Sequence, residues 1–172
     1  MSGHQESGAR IAWSSASRAC FARGSGESNE GGSVGMTSEL VVGNKQIVRR
    51  VYEDGFNRGD ASVFDELYAP GFRHHNKTIH DVSKGGEGEK ESMRRFRHAI
   101  PDVHFTIEDQ IAEGDRVVNR LTIRGTPVES FPPIEATGEV MEFRAVAIFR
   151  LENGLIVEEW FYREPEGSAE GR

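Results

Sequence analysis

A single cysteine, Cys20, occurs in the 172 residues, so no internal disulfide can form and the fold must rest on its own core. That usage fits a reducing compartment, and a cytoplasmic location is expected. No apolar run approaches the ~20 residues needed to span a bilayer; the longest unbroken one is Ala145-Val146-Ala147-Ile148-Phe149. The amino terminus lacks the apolar stretch of a secretory leader. Arg10, Arg18 and Arg23 lie among serines as in a transit peptide, but Glu6, Glu27 and Glu30 count against one. Gly85-Gly86-Glu87-Gly88 lacks the Gly-Lys-Ser/Thr ending of a phosphate loop, and its acids repel phosphate. With no cysteine cluster and no His-x-x-x-His spacing, no metal site is expected. An excess of positive charge is missing too. The net charge is −7, and Met1–Gly35 carries three Arg and three Glu, so the remainder holds the whole imbalance. An acidic domain repels phosphate backbones, so nucleic acid is not an expected partner.

What is present divides the chain into three. Residues 1–36 are rich in Gly and Ser without hydrophobic period, and cannot bury enough apolar surface to offset the entropy of ordering. They are expected to form a tail, with a compact domain over 37–165 and a second short tail over 166–172. Met36 stands just ahead of the first helical pattern and is a candidate translation start, which mass spectrometry of the natural protein tests.

Thr37 or Ser38 is placed to cap a first helix, whose apolar residues Leu40, Val41, Ile47, Val48, Val51, Tyr52 and Phe56 recur at helical spacing. Gly59 stops it and Asp60 caps a short second helix with the stripe Val63, Phe64, Leu67 and Tyr68, ended by Pro70-Gly71. Phe72–His75 reads as a strand and Thr78–Gly88 as a polar loop. Glu89–Ile100 reads as a third helix with Met93, Phe96 and Ile100 inward, stopped by Pro101. Its charges read as a solvated face, with Glu87–Glu91 near the N-terminus and Arg94, Arg95 and Arg97 toward the C-terminus. Beyond Pro101 the period becomes two. Strands are expected at Val103–Ala112, Arg116–Thr126, Glu139–Leu151 and Leu155–Arg163, with turns at Gly114-Asp115 and Asn153-Gly154. Helices first and a meander afterwards indicate α+β.

A set of segments in this order then carries a resemblance. They are Asn44–Arg50 with Phe56-Asn57-Arg58-Gly59-Asp60, Tyr68-Ala69-Pro70-Gly71-Phe72, Gly88 through Ala99-Ile100-Pro101-Asp102, and Glu113–Val118. Arg124-Gly125-Thr126, Thr137-Gly138, and Asn153-Gly154 with Ile156–Trp160 complete the set. From about Asn44 to Glu164 the chain resembles the SnoaL-like polyketide (ester) cyclases of the NTF2-like superfamily. The resemblance implies an α+β cone: three N-terminal helices packed in a curved antiparallel sheet that encloses a deep, mostly apolar pocket. It implies a homodimer through the outer face of the sheet. It implies cofactor-free ring closure of a polyketide by intramolecular aldol chemistry, in which a carboxylate removes a proton next to a carbonyl. The family's catalytic aspartate follows the position matched by Trp160, and this chain has Phe161 there, which cannot move a proton. A family histidine is matched by Ala147 and a pocket amide by His74. The histidine that often follows Gly-Thr is Pro127, and Glu135-Ala136 stand for Pro-Pro.

Strand alternation assigns the remaining candidates. Val157, Glu159, Phe161 and Arg163 share the inward face, with Ile156, Glu158, Trp160, Tyr162 and Glu164 outward. Phe143, Ala145, Ala147 and Phe149 line the inside from the neighbouring strand. The expected substrate contacts are Tyr52, Phe143, Ala147, Phe149 and Phe161, and the expected ligand is an apolar small molecule. The expected catalytic groups are His74, Glu159 and His75. Glu159 is the inward carboxylate next to the vacated aspartate position, with a strand-end pairing to Arg163 as its ordinary role. His74 and His75 point to opposite faces, so one of them can reach the pocket. Arg120 and Arg144 are expected to pair on the sheet face with Glu142 or Glu158, and Trp160 to anchor a dimer. Three functions stay open. One is a cyclase-type enzyme with His74 or Glu159 as base, and one is a non-catalytic ligand-binding or dimerisation module that has lost its aspartate. The third is an epoxide hydrolase or dehydratase, which needs a carboxylate with an amide or histidine deep in the cone.

Overall fold

The computed structural model describes residues 31–75 and 85–164, with side chains from Ser38 onward. The expected tails over 1–36 and 166–172 fall mostly or wholly outside these residues, as does most of the Thr78–Gly88 loop. Helix α1 spans Gly31–Arg50, so Thr37 and Ser38 lie within it instead of capping it. It continues without a break into a wider, π-helical segment, Val51–Asn57, that buries Val51, Tyr52, Gly55 and Phe56. Extra width at such a point re-aims side chains, and here it presents Tyr52 and Phe56 to the sheet. Gly59 closes the segment at φ +77°, its N–H donating to the Gly55 carbonyl at 3.0 Å. Helix α2, Ser62–Leu67, starts where the Asp60 carboxylate accepts from the Ser62 N–H at 3.0 Å and from its hydroxyl at 2.6 Å. Asp60 thus supplies the acceptor expected of a cap, from one residue ahead of Ala61, the N-cap position.

Strand β1, Tyr68–His74, begins four residues earlier than the expected Phe72, and takes in Tyr68, Pro70 and Gly71. Proline is tolerated because β1 is an edge strand and its register shifts between Tyr68 and Arg73. Helix α3 spans Gly86–Ala99. Strands β2 (His104–Glu113), β3 (Arg116–Gly125), β4 (Met141–Glu152) and β5 (Leu155–Arg163) fall within about two residues of expectation. The five-stranded sheet has the order β1-β5-β4-β3-β2. It is antiparallel except at β1–β5, which pair in parallel.

The helices pack on one face of the curved sheet. The core joins Val48, Val51 and Phe64 to Leu121, Ile123 and Phe149, all at most 2 % exposed. The inward rows of β3 and β4 alternate as read: Val117, Asn119, Leu121 and Ile123, then Phe143, Ala145, Ala147, Phe149 and Leu151. In β5 the reading holds from Glu159 onward and fails before it. Leu151 pairs with Ile156 but Arg150 with Glu158, so Val157 is the extra residue of a bulge. Ile156 is therefore fully buried, not outward, and Val157 leaves the inward row. No helix among the described residues is long and apolar enough to cross a membrane.

Candidate active site

Three elements converge under the helices. The parallel pairing of β1 with β5 sets His74 beside Glu159, both inward. On α3 the buried residues Glu89, Ser92, Met93 and Phe96 recur at helical spacing and face the sheet, which carries Glu89 inward with the apolar stripe. His74, Glu89 and Glu159 are all buried, and one nitrogen or oxygen from each lies within 4.8 Å of the others. His74 Nε2 is 3.9 Å from Glu89 Oε1. Tyr52, from the π-helical segment, and Tyr68, from β1, bring two buried hydroxyls that make no hydrogen bond of normal geometry, and Glu159 Oε2, with the Tyr68 hydroxyl near its carboxyl, is in the same condition.

Glu89 and Glu159 open onto a cavity of about 20 Å³, lined otherwise by Tyr52, Phe56, Phe96, Phe105 and Phe161. That volume admits about one water. It is far smaller than the deep hollow the resemblance implies, because aromatic rings fill the space. Phe56 and Phe105 stand 4.8 Å apart, Tyr52 and Phe105 5.7 Å.

Burial dominates the electrostatics. It pushes Glu89 up to about 8, against the pull of the α3 N-terminus, which favours negative charge. It also raises Glu159 well above the usual carboxylate range; the charge of Glu89 adds to this, and the nearby Tyr68 hydroxyl works the other way. The Tyr52 and Tyr68 hydroxyls are raised by burial first and then by the two carboxylates. Two like charges so close in an apolar interior cannot both ionise easily, and the pair titrates as a unit that retains a proton at neutral pH.

Of the expected site residues, the structure brings together His74, Glu159, Tyr52 and Phe161. His75 takes the opposite face, stacked flat on Trp160 with centroids 4.4 Å apart, and does not reach the site. Phe143, Ala147 and Phe149 face inward but pack into the core: Phe149 meets the Tyr52 ring edge-on, and Phe143 carries the Arg163 guanidinium at 4.3 Å. The outer-face pairs also differ from expectation. Glu158 binds Arg150 and Arg73, each at 2.6 Å, and Arg120 binds Asp109. Two interior polar residues escape the sequence reading. Glu89 was placed on a solvated helix face, yet it is 3 % exposed; its spacing from Met93 and Phe96 was the available signal. Asn119 is fully buried with both amide atoms unpartnered, and its place in the inward row of β3 marked it.

The family model described as SnoaL-like polyketide cyclase matches residues 46–165. The chain is similar to TsrD from Streptomyces laurentii, at 28 % identity and a TM-score of 0.64, covering 72 % of this chain and 89 % of that one. It is similar to IdmH from Streptomyces antibioticus at 27 % identity and a TM-score of 0.61, covering 70 % and 91 %. A SnoaL-like polyketide cyclase from Agrobacterium tumefaciens shares the fold at 19 % identity and a TM-score of 0.60, covering 70 % and 91 %. No curated protein sequence matches the chain.

Proposed function

Since the chain belongs to the SnoaL-like polyketide cyclase family, we propose that it is a cofactor-free enzyme that moves a proton at a carbon next to a carbonyl, with Glu159 as the base. The observation that carries the reading is the buried Glu159–Glu89–His74 cluster opening onto an aromatic cavity. The two carboxyls share one proton, and in the arrangement with that proton on Glu89 the charged Glu159 accepts the C–H proton. The electron pair moves onto the carbonyl oxygen, toward which protonated Glu89 donates. The enolate carbon then forms a bond to a second carbonyl of the same molecule, and the oxygen of that carbonyl takes back from Glu159 the proton removed from carbon, which restores the charged base. Burial raises the proton affinity of Glu159 above the ordinary carboxylate range, which strengthens it as a base for this exchange. His74, beside both carboxyls, orients them. Phe161 stands where the family's aspartate is expected, so the carboxylate acts from two residues earlier on the same strand face. The substrate is an apolar small molecule, and its entry requires the aromatic lining, including half-buried Phe161, to shift.

The test is turnover of β-dicarbonyl and polyketide-like substrates by the wild type, Glu159→Gln, Glu89→Gln and His74→Ala. A loss of about 10²-fold or more is expected for Glu159→Gln; unchanged rates in all three variants remove the cluster from the chemistry. The same cluster meets the requirement of a hydrolase or dehydratase, so epoxide and β-hydroxycarbonyl substrates belong in the panel. The small cavity and Phe161 favour a second reading, a binding module without chemistry. A thermal shift by apolar ligands together with no turnover on the whole panel distinguishes it. The outward Tyr162 and Trp160 support a homodimer through the sheet, checked by light scattering of the eluting protein.

A further inference from the structure

Two carboxyls buried beside an imidazole can be neutralised by a proton or by a cation. The donor atoms of His74, Glu89 and Glu159 all lie within 4.8 Å of one another, so some point lies no more than about 2.8 Å from all three. First-row divalent ions bind such nitrogen and oxygen donors at ~2.0–2.2 Å. The side chains therefore need to close by only about 0.7 Å, within the reach of small torsional changes. From this placement we infer that His74, Glu89 and Glu159 form a binding site for one divalent transition-metal ion of the zinc class.

Three further features support the site. Glu159 Oε2 is fully buried and makes no hydrogen bond of normal geometry, although the Tyr68 hydroxyl lies near its carboxyl, and the Tyr52 hydroxyl on the same cavity is unbonded too. Such groups cost free energy unless a polar or charged guest meets them. Two carboxylates and a neutral imidazole cancel the charge of one divalent ion, which removes the repulsion that burial otherwise imposes. The donor set also selects the ion class. One nitrogen and two carboxylates suit zinc, cobalt, iron(II) or manganese, whereas calcium and magnesium want more oxygens and copper(I) wants sulfur. Three protein ligands would leave a fourth position for water, and Glu89 and Glu159 border a cavity with room for about one.

This inference does not rest on the acid/base reading. A bound ion occupies the carboxylate oxygens that the proton relay uses, so metal binding is measured without turnover, and turnover in chelator. The experiment is titration of the chelator-treated full-length chain with Co²⁺, followed by visible d–d absorption, and with Zn²⁺ by calorimetry. The wild type should saturate at one equivalent with a d–d band that Zn²⁺ abolishes. Glu159→Gln, Glu89→Gln and His74→Ala should each weaken binding by about tenfold or more, while Asp109→Asn on the outer surface leaves it unchanged. The two glutamine variants keep the shape of the side chain, so the test stands even if His74→Ala does not fold. No d–d band in the wild type overturns the inference. So does a band that survives all three substitutions, since the ion then sits elsewhere, at Cys20 or an exposed histidine.

Discussion

Replacing Glu89 by glutamine removes a titrating carboxyl from the interior while preserving its shape, and the structure gives the size of the effect. The carboxyl is held at about 8 in the folded chain against an ordinary value of 4.5. Between those limits the unfolded chain has released the proton and the folded chain has not. The folded state therefore binds more protons, and stability falls as pH rises. Below 4.5 the contribution is fully present; above 8 both states are ionised and the loss is complete. Each pH unit in the window costs about 1.4 kcal/mol, so the shifted carboxyl removes on the order of 3 kcal/mol by pH 7. Glutamine neither titrates nor repels Glu159. The assay is urea unfolding of the metal-free protein at intervals from pH 5 to 8.5. At pH 5 the wild type and Glu89→Gln should have similar midpoints. At pH 7 the variant's midpoint should lie roughly 1–2 M higher, given the slopes usual for a domain of this size. Some slope remains in the variant, because Glu159 is itself raised by burial. If the two midpoint curves run parallel across the range, Glu89 is not a buried titrating group and the account of the cluster fails.

Other outcomes follow from single features. A Cβ at Gly125 would overlap Ile100 Cγ2 and stand 3.0 Å from Val103 Cα, so Gly125→Ala should destabilise by about 1–3 kcal/mol in thermal or urea unfolding; an unchanged midpoint refutes it. The Asn57 side chain donates to the Phe105 carbonyl at 2.9 Å and accepts from the Phe105 N–H at 2.8 Å, tying the helical layer to β2. Asn57→Ala should cost about 1–3 kcal/mol and speed hydrogen exchange at the Phe105 amide above all. Glu158 is held down to about 2, first by its hydrogen bond from Arg150. Its stabilisation is present above 4.5 and disappears as pH falls toward 2, so Glu158→Gln should unfold at nearly the same midpoint as the wild type near pH 2 and a lower one at pH 6.

The fold was legible because its signals are local and repeat. The period of two places β2 to β5 within about two residues, and Asn153-Gly154 sets the last hairpin, with both residues at positive φ. Three features were not legible. The bulge at Val157 inserts one residue into an otherwise regular alternation, and no composition marks it, so Ile156 was placed on the wrong face. The parallel docking of β1 on β5 joins distant segments, and only that pairing puts His74 beside Glu159. The depth of the pocket depends on how rings such as Phe56, Phe96 and Phe105 fill space, which is a property of packing and not of pattern.

Glu89 shows why site and stability separate at this position. The rest of the buried face of α3 is small or apolar, and a leucine or methionine there would complete it without any electrostatic cost. Replacing buried charged groups by apolar ones of similar volume is often neutral or stabilising. The chain instead holds two carboxyls within reach of each other and of an imidazole, in an interior with no disulfide to compensate. Local agreement between sequence and fold is the rule elsewhere in the helices and strands, and breaks of that rule concentrate where chemistry is done. The vacated aspartate position and the buried pair then have one explanation. On the proposed reading Phe161 contributes wall, Glu159 two residues earlier on the same face contributes the carboxylate, and Glu89 from the opposing helix keeps a proton within its reach. An interior built only for stability has no use for that third element, and its presence is the strongest physical reason to look for turnover here.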